Sequence, residues 1–285
     1  AEVKSLQRDT GAAQQLAQEA LKLNPNYPPA MVTLARDHFR NRRLDLARYA
    51  LEAILDGFGE GTPPRDKENL EAHLVRGLIY REEGRRPLAI KEFERVLASR
   101  PDLVDVGIQL ATYYLESGNA DSALPILERS LKYDSANVIA HLNLGDCYRL
   151  LGRVGDSRRE FDWVISKDSA NAQVHYNLGL LYLFSTAVPG MTPTQQADSA
   201  IAEFEKFQQM RSQGNRSQGS DVDELLARAK AKKGTVEASA AASQPASAPS
   251  SSGSTAPASS AGDDSSANPS SSAQAPVASP KSSGQ

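Results

Sequence analysis

Cysteine is almost missing from this chain, which contains only Cys147. A single cysteine cannot form an intramolecular disulfide, so the fold depends on packing and hydrogen bonds, and cysteine usage does not reveal the redox compartment. No apolar run approaches the ~20 residues that cross a bilayer as a helix. The chain does not begin with methionine, and no signal peptide can be read from it.

An excess of charge of either sign is also missing. Residues 1–233 contain 31 lysine and arginine residues and 32 aspartate and glutamate residues. Binding to nucleic acid or to an anionic membrane surface needs clustered positive charge. The balance therefore argues against a broad surface for either partner, and leaves a local basic patch open.

Catalytic motifs are absent as well. The sequence has no Gly-rich phosphate loop, no His-Glu-x-x-His, no Cys-x-x-Cys and no Gly-x-Ser-x-Gly. A pair of catalytic carboxylates hidden among the many glutamates stays open, because sequence cannot show it. We expect no catalytic residues, no metal and no cofactor, and we expect that the protein is not an enzyme.

Large apolar residues are missing from the C-terminal part. From Ala238 to Gln285, 36 of 48 residues are Ser, Ala or Pro, none is aromatic, and Val277 is the only large aliphatic residue. Such a segment cannot bury enough apolar surface to offset the entropy of ordering it. We therefore expect the foldable part to end near Lys233 and residues 234–285 to form a disordered tail.

What the chain does contain is a repeat with a period of 34 residues. Gly145 and Gly179 lie one period apart, Gly77 lies two periods before Gly145, and Ala111 takes the intermediate position. The other positions that recur in phase are an aromatic residue at Tyr80, Tyr114, Tyr148 and Tyr182, a small residue at Ala89, Ala123 and Ser157, and a large apolar residue at Phe93, Leu127 and Phe161. A fixed period of this length predicts stacked supersecondary units.

These recurring positions resemble the tetratricopeptide repeat, whose pattern is Leu-Gly-x-x-Tyr, then Ala-x-x-x-Phe, then Pro. The matching stretches read LNLGDCY, LAIKEFERVL followed by SRP, and YNLGLLY. The resemblance covers about residues 1–210. It implies an all-α fold, a right-handed superhelical solenoid of helix-turn-helix repeats.

Apolar spacing predicts the same helices without the family name. Leu144, Tyr148 and Leu151 mark one face of a first helix, and Phe161 and Val164 mark a second helix. Gly84, Gly118 and Gly152 fall between such pairs, where a helix end needs positive φ. Gly145 and Gly179 lie inside helices, and we expect a close helix–helix approach there.

The period also predicts where each unit begins and ends. We expect a partial unit at 1–27, full units at 28–57, 70–103, 104–137 and 138–171, an inserted loop at 58–69, a unit with an insertion at 172–211, a capping helix at 220–233 and the tail at 234–285. In the unit with the insertion, Thr192, Pro193 and Gln195 predict an N-cap, a first-turn proline and a capping-box partner. The partial unit lacks half a helix, so we expect the natural protein to continue upstream of Ala1, although a degenerate first unit would look the same.

Three histidines share the fourth position of their units: His73, His141 and His175. Successive units stack about 10 Å apart, which is too far for one metal ion with bonds of about 2 Å. We therefore expect packing histidines. Cys147 lies on an apolar helix face and is expected to be a buried structural thiol.

The family resemblance implies a binding groove lined by the first helices. It places the following residues on the groove face of the last two full first helices: Leu142, Asn143, Asp146, Arg149, Tyr176, Asn177, Leu180 and Leu183. Exposed apolar surface there would mark a contact site, and the two asparagine amides would pair with a ligand backbone. The Lys, Asn and Arg pattern of grooves that bind chaperone carboxyl termini is not met, so that partner class is not expected.

We expect a scaffold or adaptor that binds a peptide, a helix or a protein surface in its concave groove. Two alternatives stay open: the accessory domain of an enzyme whose catalytic part is absent from this chain, and an assembly factor for pili, secretion or gliding machinery. Late stretches such as FEKFQQM, together with the Ser/Ala/Pro tail, resemble bacterial envelope repeat proteins, including those of myxobacterial gliding. The compartment is undetermined; the bacterial periplasm is the leading interpretation, and the cytoplasm stays open.

Overall fold

The computed structural model describes residues 10–212 and 220–242, which form twelve α-helices and no strand. The helices are α1 (Thr10–Leu23), α2 (Pro28–Arg40), α3 (Leu44–Leu55), α4 (Leu70–Glu82), α5 (Arg86–Ser99), α6 (Val104–Glu116), α7 (Ala120–Tyr133), α8 (Val138–Leu150), α9 (Val154–Lys167), α10 (Ala172–Phe184), α11 (Pro193–Ser212) and α12 (Ser220–Ala242). The expected half helix at the start lies outside the described residues. Within the described ranges, no helix has the length and apolar character needed to span a membrane.

Neighbouring helices pair into hairpins that stack along the chain. The pairs are α2 with α3, α4 with α5, α6 with α7, α8 with α9, and α10 with α11, and each hairpin packs against the next. Gly84, Gly118 and Gly152 turn three of these hairpins at φ of 70°, 75° and 71°. The sequence expectation of positive φ at these glycines is confirmed.

The helices of three hairpins approach closely because a glycine faces a phenylalanine. A Cβ atom added at Gly77 would lie 2.6 Å from the ring of Phe93, and one added at Gly179 would lie 2.5 Å from the ring of Phe204. Gly145 has the same relation to Phe161. All three rings are fully buried. The expected close approach at Gly145 and Gly179 is confirmed.

Two longer connections interrupt the regular spacing. Between α3 and α4, the Asp66 amide donates to the Ile54 carbonyl at 2.9 Å, and the Arg65 guanidinium donates to the Ala53 carbonyl at 3.0 Å. Before α11, the Gln195 amide donates to the Thr192 hydroxyl at 3.2 Å, and the Thr192 amide donates to the Gln195 side-chain oxygen at 2.9 Å. These reciprocal bonds confirm the predicted capping box.

The last helix is longer than the sequence analysis predicted. We expected it to end at Lys233, but α12 continues to Ala242, so residues 234–242 are helical rather than part of a disordered tail. The stretch from Ala238 to Ala242 is mostly alanine, the strongest helix former, and this offsets the cost of Gly234 within the helix. The expected disorder beyond Ala242 concerns residues outside the described ranges.

Candidate functional site

Asparagine caps fix where three first helices begin. The side-chain oxygens of Asn69, Asn137 and Asn171 each accept a hydrogen bond from the backbone amide of the residue three positions later in the chain. The distances are 2.9, 3.0 and 3.3 Å. Each cap is held by an aspartate three residues earlier, as Asp134 holds Asn137 at 3.0 Å. Because the cap satisfies an orphan amide, it sets the helix start and hence the direction of the groove-facing side chains.

A histidine–glutamate pair joins the two helices of the same three hairpins. The distances from histidine Nδ1 to glutamate Oε2 are 2.5 Å for His73 and Glu92, 2.6 Å for His141 and Glu160, and 2.6 Å for His175 and Glu203. His73 and His175 are each only 1% exposed. The packing role expected for the histidines therefore includes a specific carboxylate partner that sequence analysis did not identify.

Glu92 lies at the centre of the most elaborate of these pairs. Burial acts to raise the pKa of the Glu92 carboxyl, but the hydrogen bond with His73 and the charge of Arg76 outweigh burial, and the pKa is lowered. Arg76 also reaches Asp56 at 2.7 Å. The Glu92 carboxylate is thus held ionised between α4 and α5. Its hydrogen bonds with His73 and Arg76 link these two helices.

Cys147 is buried and unreactive by geometry. Its side chain is fully buried, and its sulfur donates to the Ala120 carbonyl at 3.3 Å. Burial raises the pKa of the thiol to about 11, so the thiolate that acts as nucleophile is hardly populated at neutral pH. The expectation of a buried structural thiol is confirmed. Among the described residues, no three His, Cys, Asp or Glu side chains are grouped so that they could hold a metal ion.

Hydrogen bonds between successive first helices run along one face of the array. Arg36 on α2 binds Glu71 on α4, and the Asn143 amide on α8 donates to the Thr112 hydroxyl on α6 at 3.0 Å. Since these bonds connect the same side of consecutive hairpins, they hold the groove face together. The Asn143 amide nitrogen therefore makes one hydrogen bond within the protein.

The groove face of α8 combines apolar and charged side chains. Leu142 is partly buried against the core, and the Arg149 guanidinium donates to the Asp146 carboxylate at 2.8 Å. Ile139 lies one turn before Leu142 and Asn143 on the same face, and 60% of its surface is exposed. Ile139 is the apolar side chain of this face most open to a partner, although it was not among the predicted site residues.

The groove face of α10 is more enclosed than expected. The ring of Tyr176 packs against Phe204 and Phe207, with centroids 6.1 and 5.2 Å away, and Leu180 is partly buried against the same core. Tyr176 therefore takes part in the packing between α10 and α11.

Two predicted site residues on α10 are buried and do not present surface. Asn177 is 7% exposed and accepts a hydrogen bond from the Gln173 side chain at 3.2 Å. Leu183 is 5% exposed, and the Lys232 ammonium donates to its carbonyl at 2.7 Å. Their low exposure does not fit the prediction that these two side chains line an open groove.

Helix α12 packs against α11 and borders the end of α10. Val222 and Ala229 are buried in the same core cluster as Phe204, and the Arg228 guanidinium lies 4.9 Å from the Phe184 ring centroid. A cleft of about 390 Å³ opens beside Phe184, between the turn after α8 and the end of α10. The candidate site is thus the face formed by α8, the accessible part of α10 and the adjoining edge of α12.

A sequence model of the tetratricopeptide repeat matches residues 32–103 and 108–162. Together with the stacked hairpins, this match shows what the repeats are. The chain contains tetratricopeptide repeats. Tetratricopeptide repeats form scaffolds for protein–protein interaction, and the expectation of such repeats from the glycine and aromatic period is confirmed.

Solved tetratricopeptide-repeat structures share the fold at low sequence identity. YrrB, a TPR protein with an unusual peptide-binding site, superposes with a TM-score of 0.60 and 18% identity over 75% of this chain and 97% of its own. PilW, a type IV pilus biogenesis factor, gives 0.51 and 19% over 78% and 95%. MamA gives 0.51 and 19% over 66% and 98%. At these identities the similarity shows the fold alone.

Sequence reasoning missed the partners that lie on a different helix of the repeat. Glu92 and Glu160 each follow their histidine by 19 residues, and Glu203 follows His175 by 28 because of the insertion. The spacing of 19 residues recurs in two units, so the 34-residue period carried a signal for these glutamates. Phe184, Arg228 and Lys232 carried no such signal, since their proximity depends on how α12 docks.

Proposed function

We propose that this tetratricopeptide-repeat protein is an adaptor that holds a segment of another polypeptide on the face formed by α8, α10 and α12. The array is proposed to consist of units 28–57, 70–103, 104–137, 138–171 and 172–211, with α12 closing its end. The observation that supports this role most directly is Ile139, which exposes 60% of an apolar side chain on the groove face. Exposed apolar surface of this kind is typical of contact sites.

The polar groups beside Ile139 suit a peptide partner. Asp146 and Arg149 form an ion pair whose side chains remain 23% and 17% exposed, so each can also reach a ligand. A peptide backbone offers both donors and acceptors to such a pair. Leu142 and Leu180, both partly buried, complete the apolar part of the face.

Two titratable groups with shifted pKa values lie inside the array and not on this face. The thiol of Cys147 is buried with its pKa raised to about 11, and the Glu92 carboxylate is engaged between helices. Both alternatives, an enzyme's accessory domain and an assembly factor, would also require the groove to bind another polypeptide. The resemblance to PilW supports the fold and adds nothing to the assembly-factor alternative.

Site-specific photo-crosslinking in the source cells tests the groove. A photoreactive amino acid at Ile139 is expected to give discrete adducts with another polypeptide, because this side chain projects from the proposed binding face. The matched control is Leu46 on α3, an exposed apolar residue (50%) on a second helix rather than on the groove face of a first helix. We expect no adducts, or different ones, from the control position.

The same adducts at equal yield from both positions would mean nonspecific capture, and the groove assignment would fail. Absence of adducts from Ile139 in cells that express the protein would also contradict it. An Ile139→Lys variant provides a second measurement. It is expected to keep its helical circular dichroism, since the side chain is mostly exposed, and to recover less of the crosslinked partner in affinity capture.

A further inference from the structure

The cleft at the end of α10 is lined by one aromatic side chain and one cation, and two further cations lie close to the aromatic residue. Phe184 and Arg149 line it, and Phe184 is 48% exposed. The Arg228 guanidinium lies 4.9 Å from the Phe184 ring centroid, and Lys232 binds the carbonyl of Leu183, the residue before Phe184. One end of the proposed groove therefore combines apolar surface with positive charge.

The positive charge here is only partly balanced. Arg149 has a carboxylate partner in Asp146 at 2.8 Å. Among residues 10–212 and 220–242, no carboxylate lies within salt-bridge distance of Arg228 or Lys232. The C-terminal carbonyls of α10 supply only about half a negative charge. More than one unit of positive charge thus remains beside Phe184.

The two cations of α12 also act on each other. They lie one helical turn apart on one face of α12, where side chains four residues apart are neighbours. Burial lowers the pKa of the Lys232 ammonium, and the charge of Arg228 lowers it further. A negative group bound beside them would relieve this repulsion.

We propose that this cleft recognises an acidic peptide segment that carries a large apolar side chain, with the apolar group against Phe184 and carboxylates facing Arg228 and Lys232. This inference rests on the proposed function, since it names the chemistry of the partner that the groove holds. A basic segment would be repelled by the cations. A purely apolar segment would remove Arg228 and Lys232 from water without a compensating partner, which costs free energy.

Selection from a library of short random peptides on the immobilised full chain tests the proposal. The wild-type protein is expected to enrich Asp and Glu next to aromatic or large aliphatic residues. Arg228→Glu is expected to lose that preference, because the charges at residues 228 and 232 then cancel. Arg129→Glu, which reverses an exposed arginine on α7, is the matched control and should enrich the same peptides as wild type.

Affinity measurements on one enriched peptide give the magnitude. By fluorescence anisotropy, Arg228→Gln should weaken binding about fivefold, the value of one exposed charge pair, and added salt should reduce the difference. Arg228→Lys should recover most of the affinity by restoring the charge. Circular dichroism confirms that each variant is folded.

The outcomes separate this inference from the proposed function. Acidic peptides that bind Arg228→Glu as tightly as wild type would overturn the inference. If wild type enriches neutral or basic peptides whose binding is lost in Ile139→Lys, the groove function stands and the acidic partner is wrong. If no peptide is enriched above the starting pool, both the inference and the peptide-binding function fail.

Discussion

The ring of Phe161 occupies the space that a side chain at Gly145 would need. The same relation joins Gly77 with Phe93 and Gly179 with Phe204. At the equivalent positions, the unit at 104–137 has Ala111 with Leu127, and the unit at 28–57 has Ala35 with Leu51. A smaller second-helix side chain thus accompanies the larger first-helix residue, as close packing requires.

We expect Gly145→Ala to destabilise the protein by about 1–3 kcal/mol, because the new methyl group meets a fully buried ring. In a Phe161→Leu background the sign should reverse. Alanine then gains about 1 kcal/mol of helix propensity over glycine without the overlap. Urea unfolding of the four proteins of this cycle measures the coupling. Equal effects of Gly145→Ala in both backgrounds would show that the two positions do not compete for space.

We expect Glu92→Gln to lower the free energy of unfolding at neutral pH by about 1–3 kcal/mol, since it weakens a buried, charge-assisted hydrogen-bond group. The folded-state pKa of Glu92 lies below 4.5, its ordinary value. A lowered pKa stabilises the fold fully above the unfolded-state value, and this contribution is lost as pH falls through the folded-state pKa.

The difference between wild type and Glu92→Gln should therefore shrink in acid. Urea unfolding at about pH 7 and about pH 3 measures it. Glu52→Gln, an exposed glutamate on α3, is the control and should match wild type at both pH values. A difference that stays constant with pH would mean that the Glu92 carboxylate contributes through shape rather than charge.

Removing the cap of α8 should be costly. Asn137→Ala is expected to destabilise the protein by about 1 kcal/mol, because the Ala140 amide loses its acceptor. Asn137→Ser keeps a capping oxygen and should recover most of the loss. Thermal unfolding followed by circular dichroism compares the three proteins. If Asn137→Ser is as destabilising as Asn137→Ala, the loss of stability comes from the hydrogen bond between Asn137 and Asp134 and not from the cap.

Cutting the chain at two places separates the contribution of α12 from that of residues 243–285. Truncation after Ala242 should leave the unfolding free energy unchanged, because the removed sequence has almost no large apolar side chain. Truncation after Gly219 should lower it by several kcal/mol, at about 1.5–3 kcal/mol for each large side chain that loses its burial. The truncation removes Val222 and Ala229 from the core cluster that also contains Phe204 and Phe207. Equal stability of both truncated chains would show that α12 does not contribute to the core.

The sequence predicted the hairpins well because each repeat carries its own signals. Glycine, an aromatic residue and alanine recur in phase, and local rules then give the turn at Gly118 and the capping box at Thr192. The accessibility of the groove was predicted less well. Leu183 and Leu142 both lie on first helices, but only Leu183 is buried, and Lys232 of α12 binds its carbonyl. That difference comes from the packing of a helix outside the repeat, which the period does not describe.

The hairpin at 104–137 lacks several of the contacts described above. Its first helix begins at Val104 without a side-chain cap, Gly107 and Ile126 stand where three other units have a histidine and a glutamate, and Pro125 interrupts the hydrogen bonding of α7. In a linear array, stability is roughly a sum of terms from each unit and its neighbours. Amide hydrogens of α6 and α7 should therefore exchange with solvent sooner than those of α8 and α9. The array would then open from its middle, leaving two ordered halves that can change their relative angle while the site on α8 and α10 stays intact.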